Sequence, residues 1–547
     1  MERILLVEPD YSNKYPPIGL MKIATYHKSK GDYVEFYKGK APFTTISRMD
    51  KIYITSLFTF YFDITVDTIK HYLNYIDGSC IYFGGITATL MPDMFIKETG
   101  FININCGQLT DSAMLGYSDH VNIDELPLDY DILDDTSYEY PVGDNFFVYA
   151  TRGCPRKCKF CAVKTLEPNF RDTNNLICQI NYVRENYGDK RHIMLMDNNV
   201  LFSNKLDIIA SDLEMLGFIK DTPNYFSSNL FDVYVGKIER RVKTGNSTAM
   251  LYGKLIDYLD QFKKRIKKNE ILIKYKEALD VLKKSENQIE DIRTYVPLFH
   301  DIVEKYRSKK PLQRYVDFNQ GIDARLLTDL KMQLIMNLPL RPFRLAYDNI
   351  NDTKIYQTAF NIAYKHGVRH FSNYMLYNFD DTPQDLWQRA YNNINLYNSV
   401  SDVTAYSFPM KYAPIDRTDR LYIGEYWNKK FLSAMNVILN VTKGVMAKEK
   451  DFFIKAYGES PEEFIIILTM PNEFIKYRVF FEANGFIKSW MEEYLKLDAY
   501  ARNALINYLC NESKNTPPDV LDVILRFYKI TKYQVESGKV ELANILA

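Results

Sequence analysis

The 547-residue chain predicts an α/β fold in three parts: an N-terminal doubly wound parallel sheet, a central partial (β/α)6 barrel carrying a helical insertion, and a C-terminal helical domain. Three observations carry this. Short apolar runs alternate with segments of helical period as far as about residue 414, the pattern of parallel sheets. A basic, charge-rich stretch interrupts the alternation at 232–314. Beyond residue 421 the signals are helical and glycine-rich loops are lacking. The boundaries are 1–116 for the first sheet, 117–145 for a linker, 146–420 for the barrel with its insertion at 232–314, and 421–547 for the helical part.

Residues 4–7 form an apolar run, as expected of a strand buried on both faces. Residues 18–27 have helical periodicity and end before Gly31. Strands are expected at 33–37, 52–56, 81–85 and 101–105, with a helix at 63–75. Ligands in such sheets bind at the carboxyl ends of the strands, here after Val7, at 56–59, and at Gly84 and Gly85; the two glycines read equally as tight-turn residues. Residues 117–145 are acidic and contain prolines, hence a linker. Barrel strands are expected at 146–150, at 192–196, from 315, at 343–349, at 370–379 and from 403. Thr382 is a good N-cap, with Pro383 at the first helical position. In the helical part, breaks fall near Gly458 and Pro471, and Pro517 with Pro518 starts another helix.

Composition narrows the classes. There are 69 Lys plus Arg against 69 Asp plus Glu, so no global field favours nucleic acid or membrane. No apolar run has the length of a transmembrane span, and the N-terminus does not resemble a signal peptide. Seven cysteines without a disulfide framework fit a reducing cytoplasm. Within 232–314, 20 lysines and arginines stand against 12 aspartates and glutamates, a net +8. Such a helical arm could bind RNA or DNA phosphates; interleaved acidic residues read equally as a solvated helical face.

The chemistry lies at Cys154, Cys158 and Cys161, a C-x3-C-x2-C spacing directly after the strand at 146–150. Thiolates select iron–sulfur clusters, zinc or copper(I). Three ligands rather than four leave one iron of a cube open to a small molecule. The alternative is a zinc site in a non-enzymatic binding protein, which needs a fourth ligand; no histidine lies at a short ligand spacing from the triplet. The remaining cysteines, Cys80, Cys106, Cys178 and Cys510, form no second motif and read as ordinary buried thiols.

The run Arg152-Gly-Cys-Pro through Cys158-Lys-Phe-Cys161 resembles the cluster loop of radical S-adenosylmethionine (SAM) enzymes. The resemblance extends from about residue 1 to 414, with the cysteine loop its specific part. It implies a [4Fe-4S] cluster on the three cysteines, SAM on the open iron, and reductive cleavage to a 5′-deoxyadenosyl radical that abstracts hydrogen from the substrate. It further implies an electron donor such as flavodoxin or ferredoxin. Phe160 takes the aromatic position that borders the adenine. Asp197 and Asn198, ending the next strand, are candidates for the SAM amino group, or form an Asx turn. Gln320, Asp323 and Arg325 follow the third strand, and Asp348 sits where relatives carry an acid that contacts the SAM ribose. Tyr374, Tyr377, Asn378 and Lys411 are candidates to line the barrel.

The first part resembles the cobalamin-binding domain that precedes many radical SAM cores, through Tyr15-Pro-Pro-Ile-Gly-Leu20, Thr55, Ser56, Gly84 and Gly85. The axial-ligand motif Asp-x-His-x-x-Gly is absent after the first strand. Cobalamin bound without a histidine and a sheet used only for packing or substrate recognition both remain open. The substrate is a nucleotide or nucleic acid, or else a small metabolite or peptide.

Overall fold

The computed structural model describes residues 1–173, 175–511 and 518–546. Pro517, expected to start a helix, lies outside them. The fold is mixed α/β with parallel sheets. The chain divides into two compact units: Met1–Gln320 with Asp329–Arg341 and Ile415–Arg420, and Gly321–Thr328 with Pro342–Pro414 and Leu421–Ala547.

The first unit opens with five strands: β1 (Arg3–Glu8), β2 (Tyr33–Lys38), β3 (Lys51–Ser56), β4 (Ile81–Gly85) and β5 (Ile104–Asn105). They pair in parallel in the order β2-β1-β3-β4-β5, with Ile4 opposite Val34 and Lys51. β1 lies inside the sheet, between β2 and β3, and its Ile4 to Val7 are wholly apolar and buried. Leu5 and Val7 face Phe62, Val66 and Ile69 of the helix Phe62–Leu73, and Phe95 of the helix Pro92–Thr99. The helix Ile18–Ser29 also packs on β1. Of the strand expected at 101–105 only Ile104 and Asn105 form β5; Ile102 turns outward (79% exposed), and Asn103 meets β4 by accepting from the Phe83 N–H at 3.2 Å and donating its side-chain amide to the Ile81 carbonyl at 2.6 Å.

Residues 117–145 bury Ile123, Leu128, Tyr130 and Ile132 together with Asp124, Asp129, Asp131 and Asp134. Three more parallel strands follow in the same unit: β6 (Asn145–Val148), β9 (His192–Leu195) and β10 (Tyr315–Phe318), with β9 in the middle. Between β6 and β9 lie two short strands, β7 (Thr151–Arg152) and β8 (Arg171–Asp172). The insertion is four helices, Leu230–Thr244, Ala249–Phe262, Asn269–Lys284 and Gln288–Tyr306, with a core of their own that includes Leu255, Tyr275, Leu279 and Phe299. Its basic charge is partly consumed locally. Lys237 pairs with Asp134 at 2.8 Å, Arg240 grips Asp131 at 2.8 and 2.9 Å, and Arg241 pairs with Asp135.

The second unit carries β11 (Phe343–Ala346), β12 (His370–Tyr377) and β13 (Thr404–Lys411) in parallel, and β14 (Met446–Ala447) antiparallel to β13. The predicted cap is present: Thr382 and Asp385 form a reciprocal capping box on the helix Pro383–Asn398. Among the described residues, those after Trp427 are mainly helical, with β14 between the helices, around a core containing Phe464, Phe474 and Trp490. Among the described residues no helix is long and apolar enough to cross a membrane.

Candidate metal-cofactor site

The cysteine loop is a closed structure. After β6 the chain makes β7, and β8 returns antiparallel to it, with Thr151 opposite Asp172 and Arg152 opposite Arg171. Residues 153–170 are therefore tied at both ends. Gly153 opens the loop at φ +76°, and a Cβ there would lie 2.2 Å from the Asn169 carbonyl oxygen. Only glycine lets the two ends approach this closely.

Cys154, Cys158 and Cys161 are not disulfide-bonded, and each is half-buried. The Arg156 backbone N–H donates to Cys154 Sγ at 3.4 Å, and Asn199 Nδ2 donates to the same sulfur at 3.6 Å. Arg156, Lys157 and Lys159 make the loop cationic. Soft sulfur donors, with N–H groups directed at one of them, are a donor set that fits an iron–sulfur cluster. Zinc at about 2.3 Å from each sulfur would draw the sulfurs to about 3.8 Å from one another. Among the described residues, the set of three potential ligands with donor atoms within 4.8 Å of one another is instead Glu2, His27 and Asp32, at the opposite edge of the first sheet. His27 is already engaged on both nitrogens, by Asp32 and Tyr53. The other cysteines correct the expectation of buried thiols: Cys106 and Cys178 are exposed, and Cys80 and Cys510 are half-buried.

A buried ionic frame holds the loop. Arg152 grips Asp124 with two bonds of 2.6 and 2.9 Å, lies 3.8 Å above the Tyr149 ring, and pairs with Glu167 at 2.9 Å. Glu167 accepts from the Gly153 N–H at 2.6 Å and from Asn198 Nδ2 at 2.8 Å. Asp124 also meets Lys22 at 3.2 Å and Arg171 at 2.9 Å. Burial works to raise the Asp124 carboxyl, but Lys22 and Arg152 outweigh it and hold it below the usual range. Lys22 itself is lowered to about 8 by burial, against the pull of Asp124.

Asp197, expected to face SAM, is turned to the backbone. Its carboxylate accepts from the Ala150 N–H at 3.2 Å, from the Thr151 N–H, and from the Thr151 hydroxyl at 2.6 Å. Burial raises its pKa to about 6, more than those donors lower it. Asp197 thus fastens the end of β9 to the entry of the cysteine loop. Asn198 is one of the residues lining a cavity of about 380 Å³; Gln320 is another. The cavity reaches Glu8, Ser56 and Gly85 at the carboxyl ends of β1, β3 and β4, and Tyr149, Met196 and Asn319 after β6, β9 and β10. Tyr15 bridges the two edges, its hydroxyl donating to Asn319 Oδ1 at 3.0 Å. Both sheets thus present their carboxyl ends to one space, where parallel sheets place ligands.

Phe160 is half-buried in the turn before Cys161. Arg325 and Asp348 belong to the second unit. Arg325 pairs with Asp323 at 2.7 Å, and buried Asp348 accepts from the Leu376 N–H at 3.3 Å. Tyr377 and Asn378 are 1% and 0% exposed. Tyr377 packs on Trp427, and Asn378 bonds Tyr412, Tyr422 and Gly424, so these two shape the unit's interior rather than an open lining.

Cobalamin would bind here without an axial histidine. No histidine lines this cavity or the neighbouring one of about 150 Å³ beside Lys22, Gly84 and Gly85. Glu8, after β1, is committed to Lys38 at 2.9 Å and to Tyr140.

Gly153, Glu167, Asn199 and Asp124 were not singled out from the sequence. Asn199 follows Asp197 and Asn198 at a strand end, which was the available signal; the others carry none without their partners. No protein-family model matches this chain, and no curated protein is significantly similar to it.

Proposed function

We propose that the chain is a radical SAM enzyme whose [4Fe-4S] cluster is held by Cys154, Cys158 and Cys161. The observation that carries this is the pinned three-cysteine loop, leaving a parallel strand at its carboxyl end beside a cavity shared by two sheets. When bound, the cluster supplies one electron to the sulfonium of SAM, breaking the S–C5′ bond and releasing a 5′-deoxyadenosyl radical for hydrogen abstraction.

The chain's own residues frame that chemistry. Asp197 locks the loop entry, and Glu167 joins Gly153 to Asn198, so loop and strand end move as one body. Asn199 and the Arg156 N–H stabilise negative charge on Cys154. Asn198 and Gln320 offer amides to a polar ligand in the cavity. Phe160 is the candidate wall for the adenine. Arg325 and Asp348, both in the second unit, are the further SAM contacts that the resemblance implies. An electron donor of the flavodoxin or ferredoxin type reduces the enzyme.

Anaerobic purification tests this. The expected product is a brown protein with about four irons per chain that releases 5′-deoxyadenosine from SAM on reduction. Cys158→Ser removes both. A colourless, zinc-loaded protein, or turnover retained by Cys158→Ser, refutes the proposal.

A further inference from the structure

A recess of about 900 Å³ lies at the opposite edge of β6, β9 and β10. Asp144 and Gly188 to Arg191, which lead into β6 and β9, form one side. Tyr258, Phe262, Lys264 and Arg265 of the insertion form the other. Strands of four residues put it about 13 Å from the cysteine end. The amino-terminal edge of β/α units ordinarily serves stability alone. A wide charged recess there calls for another explanation.

The charges around it are unevenly compensated. Asp189 is taken by Arg184 at 3.0 Å and by Arg314, Asp144 pairs with Lys190 at 3.2 Å, and Arg307 is held by Glu304 at 2.5 and 2.7 Å. Arg191 donates to a neutral group, the Gln313 carbonyl, at 3.0 Å. Lys264 and Arg265 are exposed on the turn after the helix Ala249–Phe262. Among the described residues these three cations have no carboxylate partner, whereas Lys237, Arg240 and Arg241 on the insertion's first helix are neutralised by Asp134, Asp131 and Asp135. Lys264 and Arg265 thus bring part of the insertion's surplus charge to this mouth, beside Arg191. Behind it stand half-buried Tyr258 and, 5.7 Å from its ring, Phe262.

We infer that the recess binds single-stranded nucleic acid, with phosphates on Arg191, Lys264 and Arg265 and a base against Tyr258. A single strand supplies both features the recess offers: repeated negative charge and flat rings that enter a cleft. A folded partner's surface does not enter a recess of this depth, and one small anion leaves most of it unfilled. The inference does not depend on the cluster, because it concerns the other end of the strands and is read by binding alone.

The test is fluorescence anisotropy of a short labelled single-stranded RNA of mixed sequence with the full chain, across about 50 to 200 mM salt. Three phosphate contacts predict a slope of log affinity on log salt of about −2. Lys264→Glu with Arg265→Glu is expected to weaken binding about tenfold or more and to bring the slope to about −0.7. Lys274→Glu with Lys276→Glu, the same charge change on exposed side chains outside the recess, leaves affinity within about twofold. Tyr258→Ala weakens binding about tenfold while keeping the slope. The inference is overturned by absent binding at micromolar protein in low salt, by equal weakening in the two double variants, or by a polyglutamate peptide that competes as well as RNA, which would make the recess a site for an acidic protein.

Discussion

Replacing Gly153 by alanine probes the closure of the cysteine loop directly. The backbone there has φ +76°, and a Cβ would stand 2.2 Å from the Asn169 oxygen, 2.8 Å from its carbonyl carbon and 3.0 Å from the Glu167 oxygen. The left-handed conformation costs a non-glycine residue roughly 1–2 kcal/mol. The overlap adds about 1–3 kcal/mol, as overpacking does in a well-filled site. Asn169 would have to retreat by roughly 1 Å to reach ordinary contact. That movement pulls β8 from β7 and splays the ends of the loop. The total, about 2–5 kcal/mol, is a large fraction of the stability of a domain, but it falls on the loop and not on the first sheet or the insertion core. Anaerobic reconstitution with iron and sulfide, read as iron per chain and visible absorbance, is expected to show most of the cluster lost in Gly153→Ala. The main thermal transition of the cluster-free protein is retained. A variant with wild-type iron content and reduction potential would refute the argument that loop closure at Gly153 sets the sulfur positions.

Asn199→Ala removes one N–H donor from Cys154. If that bond is about 1 kcal/mol stronger to the reduced cluster, the one-electron midpoint falls by roughly 40 mV, measurable by EPR-monitored redox titration. Asp197 has its pKa raised by burial from 3.8 to about 6. Its contribution to stability is therefore fully present below the ordinary value and is lost as pH rises through about 6, a span of about 3 kcal/mol. Urea denaturation of Asp197→Asn between these limits is expected to show a flatter pH dependence than wild type. Arg152→Ala leaves Asp124 and Glu167 buried with one cation fewer, a loss of about 3 kcal/mol since Lys22 and Arg171 remain on Asp124. Chemical denaturation measures it, and adding Asp124→Asn should recover part of the loss.

Much of the secondary structure was legible because local pattern and tertiary demand agree. β1 reads as a buried strand since both its faces are covered, and the capping box at Thr382 follows from two side chains three positions apart. The stretch 101–105 failed because alternation of apolar residues does not say whether the outer one has anything to cover it; Ile102 has nothing. β7 and β8 are two residues each, too short to carry a period. The backbone partners of Asp197 were not legible for a related reason. A carboxylate at a strand end is as suited to backbone N–H groups as to a ligand, and only the path of Ala150 and Thr151 past it selects the former. The net +8 of the insertion likewise overstated its free charge, since three of its cations meet carboxylates about a hundred residues earlier.

Read alone, the sequence determined where three cysteines share one loop, which runs make parallel strands, and where helices take over, because these depend on residues within a few positions of one another. Tertiary structure decided what those features serve. It brought Lys22, Asp124, Arg152 and Glu167 into one buried frame around the cysteine loop, turned two sets of strand ends toward one cavity, and left a charged recess at the far edge. Burial makes the difference: a charge in water tolerates almost any neighbour, whereas a buried one must be met by a partner that the chain supplies from a distance.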